Sequence, residues 1–266
     1  MRCIYPIATL FFIAFYCSCS SNESISEELL AEIGSENYFP LEKNNHWTYN
    51  IEAETSAKDS VWVEKDSLIE GEIYYQAKGN AQKKGFFTNL ISSSLVAKSK
   101  SKLFLDGNIS QLIPGLEIPV HNLTLLDTKS PLGGELYTNS GISTYEYNKY
   151  ILHIEYTVST KTEAVLNDYT LFDDTYNNVI KTSLTVNIKG ILTTDVDGYE
   201  LTIPVIKDQD AIISTQYFAP GIGLIYNEAA IAYQLSNLDQ LEGKLPFPTE
   251  YSEVITQSIE DFSILN

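Results

Sequence analysis

The strongest constraint in this sequence is a period of two. Across residues 149–160, Tyr150, Leu152, Ile154, Tyr156 and Val158 alternate with Ile151, His153, Glu155, Thr157 and Ser159. Successive side chains of an extended strand point to opposite faces, so the spacing predicts a strand with one apolar face and one mostly wet face. The pattern recurs at residues 183–190, where Leu184, Val186 and Ile188 oppose Thr185, Asn187 and Lys189. Asp197-Gly198 then supplies residues suited to the positive φ of a tight hairpin, and Tyr199, Leu201, Ile203 and Val205 return along the next strand. Asp106-Gly107 and Gly71 read as further turns. Residues 47–53, 60–68, 85–91, 212–218 and 223–233 read as further strands. Ten to thirteen strands without a long helical pattern predict a mainly β chain, an antiparallel meander curved into a half-barrel or packed as a sandwich.

The N-terminus reads as an address. Arg2 precedes a mostly apolar run over residues 4–16, signal-peptide-like in form and short of the roughly 20 residues a spanning helix needs. Ser18-Cys19-Ser20-Ser21-Asn22 resembles the lipobox of bacterial lipoproteins, in which a small residue precedes the Cys that becomes the mature N-terminus. The resemblance implies a diacylglyceryl thioether, with palmitate-type acylation, on Cys19 and a lipid-anchored protein of the cell envelope at the outer membrane. Cysteine usage agrees: Cys3, Cys17 and Cys19 are the chain's three cysteines, so cleavage before Cys19 leaves no partner for a disulfide. The expected organisation is a signal peptide at 1–18, a lipidated acidic tether at 19–42, one β domain at 43–236, and an acidic tail at 237–266. In that tail Val254, Ile255, Ile259 and Phe262 have the spacing of a short amphipathic helix.

Two further segments carry a resemblance. Tyr38-Phe39-Pro40-Leu41, followed by Trp47-Thr48-Tyr49, resembles the opening of Bacteroidetes-type hypothetical lipoproteins, with Asn44-Asn45 in place of their usual Gly-containing turn. The segment Tyr217-Phe218-Ala219-Pro220-Gly221-Ile222-Gly223-Leu224-Ile225 is similar to one found before the last strands of the same proteins. The residues themselves suggest packing: Trp47 and Tyr49 share a strand face, and Pro220, Gly221 and Gly223 would shape a bend or bulge. The resemblance implies a curved sheet like that of periplasmic lipoprotein carriers, whose concave face holds acyl chains; this is an analogy of fold.

Charge and motifs narrow the function. With 35 acidic against 17 basic residues, a net charge of −18 and a single arginine at Arg2, the chain lacks the cationic surface and the bidentate forks of a nucleic-acid binder. It carries no nucleophile elbow, zinc-protease motif, phosphate loop or dinucleotide fingerprint, so no cofactor is expected. His46, His121 and His153 are far apart in sequence, and Asp195 with Asp197-Gly198 fits a hairpin turn better than a calcium loop. One segment stands out. Residues 73–105 contain no acid and six lysines, and Lys98, Lys100 and Lys102 at a period of two would project from one strand face. They read either as the charged guard of an edge strand or as a patch for lipid headgroups or acidic glycans. The expectation is a non-enzymatic binding module for a hydrophobic ligand, a glycan or a partner protein. An envelope hydrolase with a dispersed acid pair and a structural assembly factor are the alternatives.

Overall fold

The computed structural model describes residues 36–99, 101–196, 198–236 and 247–265. Cys19, the signal peptide and most of the expected tether lie outside them, as does Lys100. The described chain folds into one twelve-stranded antiparallel sheet, nearly closed into a barrel, with one short helix. The strands are β1 (His46–Glu52), β2 (Ala57–Ile69), β3 (Glu72–Gly79), β4 (Leu95–Ser99), β5 (Lys102–Ile109), β6 (Ile118–Asp127), β7 (Glu135–Tyr147), β8 (Tyr150–Leu171), β9 (Asp174–Val196), β10 (Tyr199–Ala219), β11 (Gly223–Gln234) and β12 (Glu250–Ser263). Helix α1 (Phe86–Ser92) lies between β3 and β4. The sheet order is β6-β5-β4-β3-β2-β1-β12-β11-β10-β9-β8-β7, a meander in which the first and last strands pair and the only break falls mid-chain, between β6 and β7.

Alternation builds this wall. On β8, Leu152, Ile154, Tyr156 and Val158 point inward and are buried; on β9, Leu184, Val186 and Ile188 do the same in register with β8. At the seam, side chains replace the missing ladder: Ser143 Oγ on β7 donates to the Glu117 carbonyl at 2.6 Å, and Thr160 Oγ1 on β8 donates to the Thr124 carbonyl on β6. Sequence and structure agree that the chain is a curved antiparallel meander, and Gly71 and Gly198 take the positive φ their turns require.

Four local readings differ from the structure. Residues 85–91 form α1 rather than a strand: Phe86, Phe87, Thr88, Leu90 and Ile91 are all buried, so the segment shows neither period clearly. The helix is held by its surroundings. The buried Asp59 carboxylate accepts the Gly85 N–H at 2.7 Å and the Lys84 N–H at 3.1 Å, and Gln257 Nε2 donates to Thr88 Oγ1 at 3.0 Å. Residues 250–263, expected to hold a short helix, form β12 between β1 and β11, with Ile255, Gln257 and Ile259 buried. Asp106-Gly107 lies inside β5 at a bulge rather than at a turn. The last part of the expected tether is packed: Tyr38, Phe39 and Leu41 are buried.

That packing unites the two sequence segments of the Bacteroidetes resemblance. Phe39 stacks on Trp47 at 5.4 Å between centroids and meets Phe87 and Phe218 edge-on. Trp47 Nε1 donates to the Ile222 carbonyl at 2.6 Å, and Tyr49 OH to the Leu224 carbonyl at 3.1 Å. Gly221 and Gly223 have φ of 73° and 110°, and a Cβ on Gly223 would sit 3.2 Å from the Phe39 ring. The two segments pack on each other across the interior, with a bulge in the β10–β11 pairing beside Phe218, the packing and bend their residue types suggested. Because α1 and this aromatic cluster occupy the interior here, the acyl-holding concavity of the carrier analogy is filled by the protein's own side chains.

Candidate functional site: an outer groove beside Lys102

The lysine cluster is not one strand face. Ser99 pairs with Lys102 and Lys98 with Leu103, so β4 and β5 turn back on each other between positions 99 and 102. Neither strand is an edge, since the sheet ends at β6 and β7, and the edge-guard reading fails with that placement. Lys98 Nζ donates to Asn37 Oδ1 at 2.6 Å; burial pushes its pKa below the ordinary lysine value against the raising charge of Glu42. The small cleft between Lys98, Lys102, Tyr38 and Thr128 offers about 10 Å³, space for no more than a water molecule. The Thr128 hydroxyl, buried and without a protein partner, faces that kind of occupant.

Lys102 also borders a second, larger concavity. A groove of about 520 Å³ is lined by Ile69, Glu70 and Glu72 from the β2–β3 hairpin, Tyr74 on β3, Ser99 and Lys102 at the β4–β5 turn, Phe104 on β5, and Asn122 and Thr124 on β6. Register explains its floor. Tyr74 pairs with Ala97, Ala97 with Phe104 and Phe104 with Thr124, so four neighbouring strands place these residues in one row. The Tyr74 and Phe104 rings meet edge-on at 6.2 Å. The β2–β3 hairpin runs past the start of β1 beside it, and its tip residues Ile69, Glu70 and Glu72 border the groove on that side.

The groove's polar groups are fixed from behind. Tyr74 OH donates to Asp106 Oδ2 at 3.1 Å, and Asp106 Oδ1 accepts the Asn122 N–H at 3.1 Å and lies 3.4 Å from His121 Nδ1. Burial raises the Tyr74 pKa, and the charge and hydrogen bond of Asp106 raise it further, so the phenol remains a proton donor to that carboxylate. Asn122 adopts a φ of 53° opposite the β5 bulge, which asparagine tolerates better than most residues. Lys102 Nζ lies 3.9 Å from Asp127 Oδ2, a loose ion pair on a half-exposed side chain. The result is an apolar aromatic floor ringed by an ammonium, an amide, two hydroxyls and two carboxylates.

Of the lysines singled out in the sequence, Lys102 lines this groove, Lys98 is bonded to Asn37, and Lys100 lies outside the described residues. Tyr74, Asn122 and Asp106 are not visible as a unit in the sequence, because they come from three strands and Asp106-Gly107 resembles a turn. The acid-free segment was the available signal, since it spans Tyr74, Ser99, Lys102 and Phe104. Among the described residues no group of three or more His, Cys, Asp and Glu side chains could hold a metal ion, and no helix is long and apolar enough to cross a membrane. His153 sits on the outer face 3.3 Å from Thr193 Oγ1, and Asp195 Oδ1 accepts the Gly198 N–H as part of the β9–β10 turn.

No protein-family model matches this chain, and no curated protein sequence matches it. Among solved structures, a chain from Parabacteroides distasonis ATCC 8503, provisionally named a lipoprotein, aligns over 86% of this chain and 99% of its own, with a TM-score of 0.37 and 10% identity. At that score the likeness carries no argument about function.

Proposed function

We propose that this chain is a cell-envelope lipoprotein, anchored at the outer membrane through Cys19, whose barrel binds a hydroxyl-rich ligand of the glycan class without transforming it. The anchor rests on the sequence: the apolar leader, the lipobox-like Ser18-Cys19 and the absence of any other cysteine after it. The ligand class rests on one observation, the groove in which the Tyr74 and Phe104 rings form a floor and Lys102, Asn122, Ser99 and Thr124 supply hydrogen-bonding groups around it. Sugars present apolar ring faces edged by hydroxyls, which suit such a mixture. A purely apolar ligand fits the fold less well, because Phe39, Trp47, Phe87 and Phe218 already fill the interior.

Native mass spectrometry of the protein purified from its own envelope tests both parts. The expected mature chain begins at an acylated Cys19 and carries a bound saccharide. Lys102→Gln and Asn122→Ala should each weaken binding of oligosaccharides from that envelope about five- to tenfold, the equivalent of one hydrogen bond of roughly 1–1.5 kcal/mol. A protein with no saccharide affinity, or variants that bind as wild type does, would remove the groove from the reading.

A further inference from the structure

Strands of a meander alternate in direction, so the two ends of the barrel carry different connections. The β2–β3, β4–β5, β8–β9 and β10–β11 hairpins, the β6–β7 connection, the start of β1 and the close of β12 all lie at one end. Contacts agree: Asn37 bonds Lys98 at the β4–β5 turn and, through its carbonyl, the Gly221 N–H at the β10–β11 turn, while Leu265 N–H donates to Asn45 Oδ1. This end also exposes apolar side chains at its tips, beside the acidic Glu70, Glu72, Asp173 and Asp174. Leu68 (74% exposed), Ile69 and Ile73 surround the β2–β3 turn, Phe172 (75%) caps the β8–β9 hairpin, Leu132 stands in the β6–β7 connection, and Leu265 follows β12. Among the large hydrophobic side chains exposed on the described residues, the opposite hairpin tips present three, Tyr199, Leu201 and, beside the β7–β8 turn, Ile151, while Ile142, Ile191, Ile213 and Val254 lie along the wall.

We propose that this end is a membrane-contacting face, whose aliphatic and aromatic tips enter the interface of a phospholipid bilayer. The inference rests on the lipoprotein reading above, and chain length selects the bilayer as the occupant. Cys19 to Ser35 is seventeen residues, at most about 60 Å when fully extended. The wall made by the 21 residues of β10 runs about 70 Å along the strand. The chain emerges at Glu36, beside Lys98 and Ser101 on the apolar end. Tilted by about 35–45° as barrel strands are, that wall stands roughly 50–57 Å tall, so presenting the opposite end to the membrane would require most of the tether to be laid back along it. Exposed apolar tips are unfavourable in water and favourable at an acyl-chain boundary, so anchor and tips orient the barrel in the same sense. With a net charge of −18 the contact is apolar rather than electrostatic, and salt, which screens repulsion from anionic headgroups, does not weaken it. The groove beside Lys102, walled by Ile69, Glu70 and Glu72, then opens near the headgroups.

The test uses the lipidated mature protein in vesicles of phosphatidylethanolamine with a minority of phosphatidylglycerol. Leu68→Cys, Phe172→Cys and Tyr199→Cys are each labelled with an environment-sensitive fluorophore. Spin-labelled lipids should quench the probes at 68 and 172 several-fold more than the probe at 199, with a contrast that high salt does not diminish. Equal quenching at all three positions, or stronger quenching at 199, overturns the proposal. The intact mass of the same sample keeps the two readings apart: an unacylated Cys19 refutes the anchor, whereas an acylated chain with unquenched tips refutes only the docking face. Matching melting temperatures of the three variants show that labelling has left the fold intact.

Discussion

The contact between Phe39 and Gly223 joins segments 184 residues apart in sequence, and its strength can be measured. Phe39 is buried among Trp47, Phe87 and Phe218, so Phe39→Ala removes a filled ring site and should cost about 3–5 kcal/mol. Gly223→Ala acts differently. A φ of 110° lies outside the comfortable range of any residue with a Cβ, at a penalty of order 1–3 kcal/mol. Its new methyl would also meet the Phe39 ring at 3.2 and 3.3 Å. Gly221→Ala is the control, with a φ of 73° and open space around the added Cβ, so only a backbone term of about 1–2 kcal/mol remains. In urea denaturation the double variant Phe39→Ala/Gly223→Ala should lose less stability than the sum of the single losses, by at least about 0.5 kcal/mol, because the ring is no longer there to be struck. Phe39→Ala/Gly221→Ala should be additive. If both pairs prove additive, the ring and the glycine do not touch; if Phe39→Ala does not fold, Phe39→Leu serves in the same cycle.

Other perturbations follow from groups held inside the wall. Asp59→Asn replaces the carboxylate that accepts the Lys84 and Gly85 N–H groups, and should cost about 1.5–3 kcal/mol in urea denaturation; a neutral result would mean α1 does not depend on that acceptor. Burial raises the Tyr49 pKa; burial followed by neighbouring charge brings that of Tyr169 to about 12, and burial followed by the hydrogen bond to Glu253 does the same for Tyr251. Protons are therefore held more tightly folded than unfolded. The stability these tyrosines contribute is complete below the unfolded value near 10; that of Tyr169 and Tyr251 is lost as pH rises from there through about 12, and that of Tyr49 goes on falling above it. A urea midpoint that stays level across that window would contradict their burial.

Much of the wall was legible because its inward residues are apolar and its outward ones polar, as on β8 and β9. Legibility failed where an inward position is polar for a reason located elsewhere in the chain. On β12 the inward series is Ile255, Gln257, Ile259, and Gln257 is buried because it bonds Thr88 on α1, so the alternation looks broken. For α1 the converse holds: Phe86 and Phe87 favour strands by propensity, and enclosure by the barrel overrides that preference. The turn between Lys98 and Lys102 carries neither glycine nor proline, so a strand with three lysines on one face was the simpler pattern. Groove residues depend on register across β3, β5 and β6, which no local pattern in the sequence encodes.

The pairing of β1 with β12 places His46 beside Ser263. A partner so late in the chain means that no growing N-terminal portion can complete the wall. Until the last 14-residue strand arrives, β1 and β11 both stand as bare edges. Assembly is thus postponed until β12 has been made, and any product truncated before Glu250 is left open with two strands seeking partners.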